Sequence, residues 1–280
     1  MSIKNNEDMI SDHYTSGRLI DAISSGIKGL GKTEKTVTID DLGPVDEFHI
    51  GGRQASKDFL DQLNLKPEMN VLDIGCGLGG PARFTVSQYQ CNVKGIDLTQ
   101  EFVEVGNKLS SWLGLVGKTK LEHASAVDMP FNDNAFDAAY MIHVGMNIQD
   151  KASLCKEAHR VLKEGGYFGI YDVMLTGDSN LKYPVPWAEI PENSFISSPE
   201  VYKEHLIQAD FAVRAERNRR EFALEYFAES MKKMANAEGP PPLGLHLLMG
   251  ETRAEKMKNM VENISSYKVA PVEIIAEKKV

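Results

Sequence analysis

Cysteine is scarce in this chain. The 280 residues hold three, Cys76, Cys91 and Cys155, too far apart for the C-x-x-C pairing of a zinc site or redox motif, so reduced intracellular thiols are expected. Long apolar runs are also missing. None approaches the roughly 18 residues of a membrane-spanning helix, and no apolar stretch follows the polar start Met1–Asp12. A cytoplasmic protein with no membrane partner is the expectation. Positive charge is in deficit too: 31 basic against 40 acidic side chains leave a net charge of −9. Phosphate neutralisation cannot then be the general mode of binding, which excludes nucleic acid as the expected partner. No internal repeat is visible, and 42% hydrophobic with 25% charged residues is the composition of a globular chain. At roughly 100 to 200 residues per domain, the length fits one core plus an elaboration.

What is present is a regular alternation. Short apolar runs at 71–74, 93–96, 121–124, 135–142 and 167–173 read as strands, separated by helical patterns at 82–88, 101–112 and 151–162. Such a series builds right-handed βαβ units and a mostly parallel, doubly wound α/β sheet. A helix at 199–209, a strand at 211–215, helices at 221–234 and 251–264 around Gly239-Pro240-Pro241-Pro242, and a strand at 272–276 complete a seven-stranded sheet. A helical insertion therefore precedes the last strand. Before the core, residues 8–28 read as one interrupted helix, Asp40-Asp41-Leu42-Gly43-Pro44 as a turn, and 55–63 as a helix. The division expected is 1–52 as helix and lid segment, 53–220 with 269–280 as the core, and 221–268 as an insertion over the second substrate. The irregular stretch 175–199, with Tyr183, Trp187 and Pro191, is long and apolar enough to be a substrate lid.

Chemistry enters at Val71-Leu72-Asp73-Ile74-Gly75-Cys76-Gly77-Leu78-Gly79-Gly80, a buried strand running into a glycine-rich turn, with Pro81 preset for the next helix. Gly75, Gly77 and Gly80 satisfy G-x-G-x-x-G, and Asp97 lies 22 residues beyond Gly75, near the spacing of a ribose-binding acid. That much permits NAD. Asp73, two residues before the first glycine, would repel a pyrophosphate and suits a cofactor that carries a cation and no phosphate.

Asp73-Ile74-Gly75-Cys76-Gly77-Leu78-Gly79 resembles the D-x-G-x-G-x-G element of class I S-adenosylmethionine-dependent methyltransferases, with a Rossmann-like fold. Further segments are similar to that family's landmarks in order. They are Gly95-Ile96-Asp97-Leu98, Ala126-Val127-Asp128-Met129-Pro130-Phe131, Phe136-Asp137-Ala138-Ala139-Tyr140 and Val161-Leu162-Lys163-Glu164-Gly165-Gly166. The resemblance implies that Asp97 holds the ribose hydroxyls and Asp128 the adenine amino group. Gly75, Cys76, Gly77, Gly79, Leu98, Met129 and His143 join Asp73 around S-adenosylmethionine, whose product is S-adenosylhomocysteine. The leading helix, the Phe48-His49-Ile50-Gly51-Gly52 segment and the insertion also resemble sarcosine/dimethylglycine and phosphoethanolamine methyltransferases in layout. Asp73 and Asp97 as helix caps, Asp128 as a turn former and Cys76 as a small residue that simply fits are the structural alternatives.

The implied reaction is in-line displacement at a methyl carbon, which asks of the protein positioning, exclusion of water and control of the nucleophile's proton. His143, after the fourth strand, is the candidate base, with cofactor packing as its alternative. Candidate acceptor residues are Tyr14, His49, Tyr183, Trp187 and His246; His13, His123, His159 and His205 read as surface or helix-face residues. Arg214 to Arg220, interrupted by Glu216, reads as a solvated edge. The acceptor expected is a small amine, hydroxyl or thiol compound, methylated on N or O. No metal is expected. An NAD-dependent oxidoreductase and a non-catalytic S-adenosylmethionine binder are the competing functions, and the oligomeric state stays open, a homodimer included.

Overall fold

The computed structural model describes residues 6–178, 180–237, 239, 241–250 and 252–280. Residues 1–5 of the polar start, Ser179 of the long loop, Pro240 of the proline run and Glu251, the predicted first residue of the last helix, lie outside the described residues. In chain order the helices are α1 (Asn6–Tyr14), α2 (Leu19–Gly29), α3 (Ile39–Asp46), α4 (Gly52–Leu60), α5 (Gly80–Tyr89), α6 (Gln100–Trp112), α7 (Lys151–Val161), α8 (Pro199–Gln208), α9 (Arg220–Ala235), α10 (His246–Met249) and α11 (Arg253–Ser265). The strands are β1 (Asn70–Ile74), β2 (Asn92–Asp97), β3 (Thr119–His123), β4 (Phe136–Ile142), β5 (Leu162–Leu175), β6 (Phe211–Asn218) and β7 (Val269–Lys278).

They form one seven-stranded sheet in the order β3-β2-β1-β4-β5-β7-β6, parallel except for β7, which runs antiparallel to both β5 and β6. Strand order reverses between β1 and β4, so the crevice of this doubly wound sheet opens at the carboxyl ends of those two strands. Alternation along β1 explains how it is held: Leu72 and Ile74 enter the core under α7 and α8, while Val71 enters the core under α4, α5 and α6. Asp73 shares the Val71 face and is 2% exposed, an acid placed in a core by its register.

Three local readings are corrected. The single interrupted helix is two, α1 and α2, divided at Gly17 in a left-handed conformation (φ 72°). The acidic segment 40–44 is not a turn but the body of α3. Thr38 caps it, its hydroxyl accepting from the Asp41 N–H at 3.3 Å while the Asp41 carboxylate accepts from the Thr38 N–H at 2.8 Å. The basic stretch 214–220 is not wholly solvated. Arg219 is buried between Glu273 (3.0 Å) and Asp58 (2.9 Å), and Arg217 bonds the same Glu273, so these arginines tie β6 and α9 to β7 and α4.

The elaborations meet over the sheet's carboxyl end. Helices α9 and α11 pack on one another and on β7, and enclose a separate apolar cluster with Ile50, Met146, Val173, Val185 and Trp187. Helix α10 reaches α2, where Leu243 and the Pro242 carbonyl come so close that a Cβ on Gly26 would lie 2.4 Å from each. N-terminal segment and insertion thus share one wall. Among the described residues no helix is long and apolar enough to cross a membrane.

Candidate active site

The glycine turn after β1 is bonded to its neighbour: the Gly75 and Cys76 N–H groups both donate to the Ile96 carbonyl, at 2.8 and 2.9 Å. Gly75 (φ 70°) admits no side chain, since a Cβ would stand 2.4 Å from Val144 Cγ1; at Gly77 (φ 52°) a Cβ would project into open space. The turn is therefore closed by protein on one side and open to a ligand on the other. Asp97, ending β2, fixes it from beside, its two oxygens accepting from the Gly77 and Thr99 N–H groups at 2.8 Å each.

Asp73 has little to hold it as an anion. Tyr140 donates to it at 3.2 Å and is itself within 3.2 Å of the Thr85 hydroxyl. Burial outweighs that bond and pushes the carboxyl up to about 8, with the nearby Asp97 charge adding to the shift. Burial raises Asp97 as well, opposed by the N–H bonds of Thr99 and Gly77. Asp46, at the end of α3, lies beside the same turn. One oxygen pairs with the fully buried Arg83 at 2.7 Å; the other, Oδ2, is enclosed without a hydrogen-bond partner among the described residues. Buried acids short of donors form a site for a cationic ligand group, and they oppose a pyrophosphate. S-adenosylmethionine fits this donor set.

These groups line one cavity of about 350 Å³. It takes in Asp73, Gly75, Cys76, Gly77, Asp97 and Leu98 of the expected cofactor residues, with His143 and three of the expected acceptor residues, Tyr14, His49 and Trp187. Gly79, Asp128, Met129, Tyr183 and His246 are not on its wall. Gly79 instead begins α5 in a left-handed conformation, and Tyr183 packs in the cluster beneath the insertion. The Asp128 side chain is exposed while Met129 turns into the core; the cavity wall there is Ala124 to Val127. The Ser125 hydroxyl donates to Glu7 Oε1 at 2.6 Å, which fastens α1 across this end. The thiol of Cys76 is held protonated by burial and by Asp73, so it is no nucleophile.

His143 follows β4 in a left-handed backbone conformation (φ 55°), its N–H donating to the Tyr171 carbonyl at 2.7 Å. Its Nε2 is enclosed with no hydrogen-bond partner among the described residues. Burial, with His49 adding, lowers its pKa well below the ordinary imidazole value, so the ring is neutral at pH 7. His49 lies 5.9 Å away between ring centroids; its Nε2 contacts the Gly52 carbonyl and the Ser56 hydroxyl at 3.1 Å each and Glu47 Oε2 at 3.4 Å. Because a carbonyl only accepts, that nitrogen carries the hydrogen.

Sequence reasoning missed Asp46, Glu7 and Ser125 and the far wall, where Met146, Phe227, Leu248, Met249, Met257 and Met260 converge. Of these, only Met257 and Met260, three apart on α11, left a pattern in the sequence.

Residues 72–170 match the family described as "Methyltransferase domain". The sterol 24-C-methyltransferase of Aspergillus fumigatus is 38% identical over 115 residues, covering 41% of this chain and 30% of that enzyme, so the match spans about a third of the relative's length. Two solved structures extend the likeness along the fold. Phosphoethanolamine N-methyltransferase 2 of Haemonchus contortus, in complex with S-adenosyl-L-methionine, superposes with a TM-score of 0.75 at 16% identity, over 100% of this chain and 61% of that one. Geranyl diphosphate C-methyltransferase of Streptomyces coelicolor gives 0.71 at 18% identity, over 99% of both. Residues 72–170 thus match a methyltransferase domain, and the chain shares its fold with these two solved methyltransferases.

Proposed function

We propose that the protein transfers a methyl group from S-adenosylmethionine to a small-molecule acceptor. The observation that carries this reading is Asp73: a carboxyl buried beside a glycine turn, short of donors, in a cavity that continues into an apolar chamber. Asp73, with the unpartnered Oδ2 of Asp46, would receive the donor's ammonium; Asp97 would receive the ribose hydroxyls; Gly75 and Gly77 let the backbone approach. The adenine end falls to Ser125, Ala126 and Val127 with Glu7 from α1, in place of the exposed Asp128.

When bound, S-adenosylmethionine supplies an electrophilic methyl group on a sulfonium. The protein's residues do the rest by holding, orienting and drying. Segment 1–52 and insertion 221–268 act as covers over the chamber, with Trp187 of the long loop between them. His143, neutral and at the end of β4, is positioned to accept the nucleophile's proton.

Calorimetry with S-adenosylhomocysteine tests the reading. Binding is expected, and Asp97→Ala should weaken it about 10- to 100-fold, the worth of hydrogen bonds to a charged group. Absence of binding at millimolar ligand would refute the function.

A further inference from the structure

The far wall of the cavity shows which acceptor belongs there. Among the described residues that line it there is no lysine or arginine. A phosphate, diphosphate or carboxylate would enter without a counter-charge, and burying an unpaired anion is among the costliest changes a site can make. The acids on the wall, Glu7, Asp46, Asp73, Asp97 and Asp150, come from α1, α3, the ends of β1 and β2 and the loop before α7. None comes from the long loop or the insertion, whose contributions are uncharged, among them Trp187, Tyr226, Phe227, Met249, Met257 and Met260. An ammonium in that chamber would therefore lack a carboxylate and stand near a second cation, the sulfonium. Thioethers adapt to irregular apolar shapes and give an anion no partner; the aromatic faces could attract a cation, but this wall supplies no carboxylate to neutralise it.

One polar demand remains. His143 lines the cavity, its ring is neutral, and its enclosed Nε2 has nothing to bond. A hydroxyl satisfies that nitrogen in either tautomer, since it both donates and accepts; a carboxylate only accepts and an ammonium only donates.

We propose that the acceptor is an uncharged, largely apolar molecule bearing one hydroxyl, which is seated at His143 against the methionine-rich wall and methylated on oxygen. This rests on the methyl-transfer reading above. In the step, an oxygen lone pair forms the C–O bond as the methyl carbon's bond to sulfur breaks, and sulfur keeps that electron pair. The hydroxyl proton passes to the unpartnered nitrogen of His143. One positive charge is present before and after, moved from sulfonium to imidazolium, and His49 with its Glu47 contact at 3.4 Å brings a buried carboxylate within one ring of it.

Three naphthalenes with the same apolar body and different heads test this on the protein loaded with S-adenosylhomocysteine: 2-naphthol, 2-naphthoate and 2-naphthyl phosphate. Calorimetry establishes product binding first; its failure removes the donor reading, whereas the steps below address the acceptor alone. Fluorescence titration is expected to give 2-naphthol at least tenfold tighter binding than either anion. Met257→Lys, which puts a cation on the far wall, should raise 2-naphthoate affinity several-fold. His143→Gln, which keeps a hydrogen-bonding head without the base, should leave 2-naphthol binding within about threefold while transfer of labelled methyl from donor to naphthol falls about 100-fold or more. Product binding combined with equal affinity for naphthol and naphthoate would overturn the proposal, as would methylation undiminished in His143→Gln. If Met257→Lys does not fold, the ranking of the three probes on the unaltered protein decides.

Discussion

Replacing Asp73 by Asn should make the ligand-free protein more stable and the liganded protein less so. The carboxyl titrates at about 8 in the fold, against an ordinary value of 3.8. The fold thus favours the protonated form. The unfolded chain gives up its proton first as pH rises, so stability falls between about pH 4 and pH 8, and the full cost is present above that window. The two values differ by about 4, which sets a ceiling of ~5 kcal/mol at 1.36 kcal/mol each. Rearrangement of the surrounding dipoles lowers that ceiling, and ~2 kcal/mol is the expected cost at about pH 8.5. Asn removes the charge while still accepting from Tyr140. In a chain of this length the gain amounts to a rise in Tm of roughly 3–6 °C near pH 8.5, shrinking as the pH falls and approaching zero only towards about pH 4. Scanning fluorimetry across that range measures it. Millimolar S-adenosylhomocysteine should reverse the order, because its ammonium loses its partner in the variant. In the unaltered protein, pairing should expel protons from Asp73 on ligand binding, more of them as the pH is lowered below 8. Calorimetry in buffers of different ionisation enthalpy counts those protons. A variant less stable at pH 8.5 without ligand, or binding without proton release, would show that Asp73 is not the strained acid described.

Two further outcomes follow from the same geometry. Gly75→Ala should cost ~2–4 kcal/mol, from a left-handed backbone and from overpacking against Val144 2.4 Å away. Combining it with Val144→Ala should restore part of the Tm, and failure to restore any would mean that the contact is not the cause. The second concerns pH. His143 accepts a proton only when neutral, and its pKa lies well below 6.5, so kcat at saturating donor should be flat from about pH 6.5 to 8 and fall only on further acidification. A rise centred near pH 7 would place the base elsewhere.

The strand–helix series from β1 to β7 was legible because burial on a sheet imposes a short period on the chain, and Leu72 and Ile74 opposite Val71 keep that period in the structure. The glycine turn was legible for a similar reason, since Gly75 must take a backbone conformation that side chains resist. Helix α3 was misread because Asp40, Asp41, Gly43 and Pro44 are turn formers one by one, while the Thr38 cap that overrides them lies two residues before the segment. Asp128 shows a different limit. It occupies a suggestive place in the sequence, yet the bend after β3 turns Ala124 to Val127 to the cavity and Asp128 to solvent.

By itself, then, the sequence determined the α/β alternation and the strand-end acids Asp73 and Asp97, as consequences of local periodicity and backbone conformation. Its low count of cysteine, basic charge and long apolar runs narrowed the chemistry before any fold was known. Tertiary structure decided the cavity. Ile10, His49, His143, Trp187, Phe227 and Met260 come from six separate segments, and only packing brings them to one cavity. The structure also decided that Asp73 is strained, that Asp46 leaves an oxygen free and that His143 is neutral, because those properties come from burial and neighbours across the fold.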